Sequence, residues 1–397
     1  MLAAGFGPGL FQNLSSLFTP GLEVSFGWSR GEIATAAGLA LVGALVAPFI
    51  GRYADRVGVR PVIIGSTIVL TTGYVALSLV SGRFWHYQAA ILLLVLAVPG
   101  TSSLIYGKLI AARFVEHRGV ALAVATSGLA LTTMAVPPVL GLIIQGYGWR
   151  TGALALGAAG VAVLPIVLSA LRRVPTGPTR PTPDSEAATI PAEGFTAAEA
   201  RRDPRFWCVV GAAVLVNMAT TGLVTQIVPL GLELGLSSLN AAVLLSGVGA
   251  SAVVGRLIVG AIVDHYPPQP AAAGFALVSS LAFLGLATLP HGFVPVLVLV
   301  FFAGLMNGAE NDLLPFLAAR LFGLRSFGEI YGSAIPIGLL GTALGIVGFG
   351  RLHDIFGSYQ VALLIGSTAL MLAGACFLAL RDRPLPVAQA ASVPGDG

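Results

Sequence analysis

Residues 33–81 read IATAAGLALVGALVAPFI-GRYADRVGVR-PVIIGSTIVLTTGYVALSLVS: an apolar run, a charged hinge at 51–60 and a second apolar run. Each run approaches the roughly 20 apolar residues that a helix needs to cross a bilayer. Backbone groups in lipid must be paired within their own segment, so runs of this kind form helices. The hinge holds Arg52, Arg56, Arg60 and Asp55 between Gly51 and Gly58. Two membrane helices joined by a short basic turn form the unit from which the rest of the chain is built.

The same pattern continues in both directions. Spans fall at 2–22, 33–51, 61–81, 88–112, 118–145, 151–171, 206–231, 239–262, 271–289, 292–318, 327–350 and 359–380. Of 397 residues, 56% are hydrophobic and 10% charged, and the mean hydropathy is +0.90. A water-facing domain carries about 25% charged residues, so this surface suits lipid. The 51 glycines fit close helix approach. Residues 1–22 lack a basic leader and a cleavage site, so they read as a span rather than a signal peptide. That span begins almost at Met1, which leaves it short at its amino end.

Residues 173–204, rich in Pro, Thr, Glu and Arg, read as a flexible cytoplasmic linker. They divide a six-span half at 1–172 from a six-span half at 205–383, with a flexible tail at 384–397. Basic residues set the orientation. Arg52–Arg60, Arg113–Arg118, Arg172–Arg205, Arg320–Arg325 and Arg381–Arg383 hold fifteen arginines on one face, against Arg30, Arg83, Arg150 and Arg351 on the other. Basic loops stay in the cytoplasm, so both termini are expected there. The halves also repeat: Gly51-Arg52-Tyr53-Ala54-Asp55 is echoed by Gly260-Ala261-Ile262-Val263-Asp264, and Ala111-Ala112-Arg113-Phe114 by Ala318-Ala319-Arg320-Leu321. Two similar halves with a site between them make a transporter architecture.

Gly51-x-x-x-Asp55-Arg56-x-Gly58-x-Arg60 resembles the cytoplasmic signature of the major facilitator superfamily. The resemblance implies an all-α membrane protein, with twelve transmembrane helices in two pseudo-symmetric halves. It also implies that Gly51, Asp55, Arg56, Gly58 and Arg60 form a latch on the inner side. Phe26-Gly27-Trp28-Ser29-Arg30, Arg113-Phe114…Arg118-Gly119, Gly128…Pro137-Pro138…Gly141 and Gly148-Trp149-Arg150 are similar to the monocarboxylate and oxalate–formate group.

Arg256 lies about eight residues inside span eight, roughly 12 Å into the hydrocarbon. An arginine there costs at least about 2.5 kcal/mol, which marks it as functional and in need of a partner. In the resembled group a span-eight arginine followed, as here, by a glycine four residues on (Gly260) binds the substrate carboxylate. Its planar fork suits that ligand. The other reading is an ion pair with span ten, where Glu310 and Asp312 lie at membrane depth. Residues two apart point about 200° apart on a helix, so at most one of these acids faces the centre. They are the candidates for proton coupling.

Asn217 and Gln226 of span seven and Gln12 and Asn13 of span one are candidate substrate contacts; interhelical hydrogen bonding is the competing role. Thr221, Thr225 and Tyr331 are further candidates for lining the pathway. Lys108 is expected to snorkel to the inner interface. Pro99, Pro137, Pro138, Pro229, Pro315 and Pro336 are expected to bend or break their helices. The sequence departs from animal monocarboxylate carriers at Ala252, where they place an aspartate one turn before the arginine, and in having no lysine in span one. The missing span-eleven lysine disfavours dicarboxylates handled as in an oxalate carrier.

Cys208 and Cys376 are too few for a disulfide framework or a cysteine metal site, and no phosphate-cradling glycine loop occurs. No catalytic constellation appears, so the chain is expected to be a transporter without cofactor, metal or nucleic-acid partner. It should move a small organic monocarboxylate, coupled to a proton or a counter-anion, as a monomer among membrane lipids. The Ala- and Arg-rich composition points to a bacterial inner membrane. Efflux of amphipathic compounds, or a non-transporting sensor, are the alternatives.

Overall fold

The computed structural model describes residue 5 and residues 9–98, 118–171, 194–262, 265–288, 292–323 and 325–380. Lys108, Pro99, most of the linker and the tail lie outside the described residues. Among the described residues the secondary structure is helical, apart from one isolated bridge between Gly194 and Gly323. Nine helices there are long and apolar enough to cross a membrane.

The first two spans are broken rather than continuous. The chain runs through α1 (Gly9–Leu14), a 3-10 turn (Ser15–Leu17) and α2 (Thr19–Phe26). It continues through α3 (Arg30–Thr35), a second 3-10 turn (Ala36–Leu39) and α4 (Ala40–Val57). The first break has a local cause: Pro20 sits at the start of α2, where its missing N–H is tolerated. Gly58 then ends α4 with φ +92°, a left-handed value that glycine adopts without a Cβ penalty.

The remaining helices of the first half are α5 (Val59–Ser78), α6 (Phe84–Ala97), α7 (Arg118–Tyr147) and α8 (Trp149–Leu171). The second half holds α9 (Ala197–Arg202), α10 (Pro204–Glu233), α11 (Ser238–Ile262), α12 (Pro268–Thr288), α13 (Phe293–Phe322), α14 (Phe327–Phe356) and α15 (Gln360–Ala379). Pro137, Pro138, Pro229, Pro315 and Pro336 all lie inside unbroken helices, so of the expected bends or breaks none is a break. Neighbouring helices in a bundle re-satisfy the backbone groups that a proline frees.

The linker is ordered earlier than expected. Thr196 caps α9 in a capping box with Glu199, and Phe195 N donates to Phe322 O at 2.8 Å. The Phe195 ring meets Phe322 edge-on, and the Arg205 guanidinium lies over both rings. Flexible character through residue 204 is therefore corrected: residues 194–203 are a strap held against the end of α13 by ring packing and one backbone bond.

Helix packing shows the repeat. In the first half α5 packs on α6 and α8; in the second, α12 packs on α13 and α15. The halves meet along α7–α11 and along α3–α14, and a shift of six spans exchanges these two seams. Glycines mark both. A Cβ on Gly249 of α11 would lie 2.7 Å from Met134 Cα of α7, and one on Gly350 of α14 would lie 2.8 Å from Arg30 O. Small residues let backbones approach where lipid supplies no hydrophobic drive. Outward side chains such as Ile68, Leu142, Leu257, Leu281, Leu344 and Leu378 are exposed, as a lipid-facing surface requires.

Candidate functional site

A cavity of about 390 Å³ lies between the halves. Its neutral polar wall comes from Gln12 and Asn13 on α1, Thr133 on α7, and Asn217 and Thr221 on α10. Arg256 of α11 and Glu310 of α13 face it, and so do Asn307 and Asn311. Tyr331 and Thr342 of α14 complete the polar lining. Phe206 and Phe322 bound it at the ends of α10 and α13 nearest the basic loops. The strap described above packs on Phe322, so this mouth is built partly by the linker.

Seven of the expected residues thus share one cavity: Arg256, Asn217, Gln12, Asn13, Glu310, Thr221 and Tyr331, while Thr225 is buried and not among its lining residues. Gln226 is not among its lining residues; it is buried, and its Oε1 accepts from the Tyr359 hydroxyl at 2.8 Å. An amide in a membrane interior needs a partner, and this one finds it in the loop before α15. Asp312 is likewise not among the lining residues, in keeping with its two-residue offset from Glu310. Of the latch residues, Arg56, Gly58 and Arg60 lie at the α4–α5 turn; Gly51 and Asp55 belong to α4, their side chains lying outside the described residues.

Arg256 Nε is buried and has no hydrogen-bond partner among the described residues. Asp312 is within electrostatic reach, but no ion pair joins the two. A buried guanidinium donor without an acceptor is costly, and an incoming carboxylate removes the cost. Glu310 is only 6% exposed and accepts from Asn217 Nδ2. Across the cavity, Asn13 Nδ2 donates to Thr133 Oγ1 at 3.0 Å, which ties α1 to α7. Close backbone packing brings α11 and α13 together behind the site. A Cβ on Gly255 would lie 2.7 Å from Leu305 O, and one on Gly308 would lie 2.5 Å from Ala252 Cα.

Sequence reading missed a second feature, at the face opposite the basic loops. Arg30 Nε donates to Glu23 Oε1 at 3.0 Å, and Arg30 Nη1 lies 3.5 Å from Glu233 Oε2 of α10. The same Nη1 is 3.0 Å from His353 Nε2 of α14, which is 3.1 Å from Glu233 Oε2. The Arg30 guanidinium also sits over the Tyr359 ring, 5.3 Å from its centroid. Beside it, Asp354 Oδ2 accepts from Ser29 Oγ at 2.7 Å and from Gly31 N at 3.0 Å. This clasp joins the α2–α3 region to α10 and α14 at the face away from the basic loops. One signal was available: Glu23, Glu233 and Asp354 share Arg30's expected face.

Comparison with known proteins adds family. A family model described as Major Facilitator Superfamily matches residues 1–346. Human "Monocarboxylate transporter 11" is 26% identical over 371 residues, covering 91% of this chain and 72% of that protein. "Monocarboxylate transporter 13" of Bos taurus is 27% identical over 330 residues, with 79% and 71% covered. A "Chloramphenicol resistance protein" of Streptomyces lividans is 30% identical over 200 residues, half of this chain and 49% of the other. Among solved structures, a bacterial homologue of the human lysosomal transporter Spinster superposes with a TM-score of 0.74 at 15% identity, covering 95% of this chain and 94% of that one.

Proposed function

This chain belongs to the Major Facilitator Superfamily, and from that premise we propose that it carries a small organic monocarboxylate across the membrane by alternating access. The observation that carries the reading is Arg256, which lines the cavity and whose buried Nε has no acceptor among the described residues. Its fork binds a carboxylate through paired hydrogen bonds. The remaining wall is neutral apart from Glu310, which suits one negative charge better than two. Gln12 and Asn13 contact the uncharged end of the substrate. Similarity to the monocarboxylate transporters supports the same class.

Glu310 is the coupling carboxylate in this reading. A carboxylate buried in a substrate cavity exchanges a proton as the site opens to alternate sides. Ala252 stands where the resembled carriers hold an aspartate, and Gly308 packs against it, two residues before Glu310. An acid on α13 thus supplies what α11 lacks. We place the basic face in the cytoplasm of a bacterial inner membrane, with the outer clasp on the far side. Opening the clasp while the Phe206–Phe322 mouth closes then exposes the same site outward.

The test is uptake of labelled short acids into liposomes that hold the purified protein, with and without an inward proton gradient. Saturable uptake of a monocarboxylate, stimulated by the gradient and absent for dicarboxylates, is the expected result. Folded, inserted protein that takes up no acid refutes the reading. The second reading, efflux of amphipathic compounds, draws on the chloramphenicol-resistance relative; it predicts transport of uncharged aromatics that survives loss of Arg256.

A further inference from the structure

The cavity carboxylate is held by a network that the substrate does not need. Asn217 of α10 donates from Nδ2 to Glu310 Oε1 of α13 and to Ala213 O, the latter at 3.0 Å. Its Oδ1 accepts from Thr342 Oγ1 of α14 at 3.3 Å. An amide offers two N–H donors and one carbonyl, so both donors are engaged and the carbonyl has a partner. Asn217 therefore has little capacity left for a substrate, although it lines the cavity. Ala213 O and the Glu310 carboxylate can only accept, so they turn Nδ2 towards themselves. The Thr342 hydroxyl then donates to Oδ1 and holds the amide in that orientation.

We propose that Asn217, oriented by Thr342, is the positioning residue that converts the protonation state of Glu310 into the fit of α10 against α13 and α14. This inference rests on Glu310 being the coupling carboxylate. When Glu310 is ionised, the bond from Nδ2 is charge-assisted and about twice as strong as a neutral one. Oε1 is taken by Asn217, so an arriving proton binds Oε2. The group becomes a neutral acid, the bond from Nδ2 weakens, and the tie between three helices loosens. Release of the proton restores it, and no other bond forms or breaks.

The surroundings permit one titrating group to dominate. Tyr331 of α14 is within electrostatic reach of Glu310 and Asp312, and Arg256 of α11 acts on Asp312. From α1 and α7 the cavity receives only the neutral Gln12, Asn13 and Thr133 among its polar lining. Gly338 leaves room beside the amide, since a Cβ there would lie 3.9 Å from Asn217 Nδ2.

The experiment is substrate exchange in liposomes at equal pH on both sides, stepped from acid to alkaline, so that no gradient drives the flux. Wild type should show one pH midpoint, and Glu310→Gln should show none. Thr342→Val and Asn217→Ala should move the midpoint towards higher pH by roughly one unit, because a donor favouring the charged carboxylate is lost or misaligned. Thr342→Ser keeps the hydroxyl and should restore the wild-type profile, which a merely structural role would not require. If Glu310→Gln keeps the wild-type midpoint, the coupling role of Glu310 fails. If Glu310→Gln abolishes it but Thr342→Val and Asn217→Ala leave it in place, the positioning role fails. Should Asn217→Ala not fold, the near-isosteric Thr342→Val decides alone.

Discussion

Replacing Arg30 with glutamine tests the outer clasp quantitatively. Arg30 contacts Glu233, His353 and Tyr359 across the seam, while its contact to Glu23 stays within the first half. Only the first three are broken when the outer face opens. The Arg30 and Glu233 side chains are 17% and 27% exposed, so the pair lies between a surface pair and a buried one. Surface pairs contribute about 0–1 kcal/mol, and breaking a buried pair costs about 3–5 kcal/mol. The ring contact adds about 0.5–1 kcal/mol. A loss near 1.5 kcal/mol from the outer-closed state follows, or roughly tenfold in the balance of closed to open. The Ser29 and Gly31 bonds to Asp354 persist, so the variant should still close. The assay is labelling of a cavity cysteine at Thr221 by an impermeant maleimide added outside cells, with Cys208 and Cys376 replaced by serine. Labelling should accelerate roughly tenfold. An unchanged rate, with uptake also unchanged, would show that these contacts do not hold the outer face shut.

Three further outcomes follow from particular contacts. Gly31→Leu should open the outer face by sterics rather than charge, since a Cβ there would collide with Asp354 and Arg351; faster Thr221 labelling with slower uptake is expected. Gln226→Leu should lower the melting temperature by the loss of one buried hydrogen bond, about 1–3 kcal/mol, and leave KM unchanged; a raised KM would return Gln226 to the substrate path. The Glu199 carboxyl is held below its usual value by the Thr196 backbone N–H and hydroxyl. Its share of strap stability is present above the ordinary carboxyl range and is lost as pH falls through the lowered value. Hydrogen exchange at Ala200, corrected for intrinsic rate, should speed up on acidification in wild type, and Thr196→Ala should be faster at neutral pH and less responsive to acid.

Much of this architecture is legible in the sequence because lipid simplifies the physics. Apolar runs must be helices, basic loops mark one face, and a repeated register gives two halves. Arg256 stands out because a guanidinium at membrane depth has few cheap explanations. Clasp partners are harder to read: Arg30 and His353 are 323 residues apart, and only the fold brings them together. The cost of an unpaired amide in lipid points to Gln226 as well as Asn217, since both are polar residues of one helix. Rotation about that helix separates them, turning Gln226 to Tyr359 and Asn217 to Glu310. The strap was missed for another reason. Composition marked 173–204 as polar, and this masked the Thr196-x-x-Glu199 capping pattern and the Phe195 anchor.

The most direct test compares uptake of a short monocarboxylate and its uncharged amide by wild type, Arg256→Lys and Arg256→Ala in the same liposomes. Loss of a paired, charge-assisted contact of roughly 3 kcal/mol predicts about a hundredfold fall in kcat/KM for Arg256→Ala. Arg256→Lys should be intermediate, because a point charge replaces a fork, and the amide should not be carried by any of the three. Carboxylate uptake by Arg256→Ala with an unchanged KM would contradict the account, since the anion would then be recognised elsewhere.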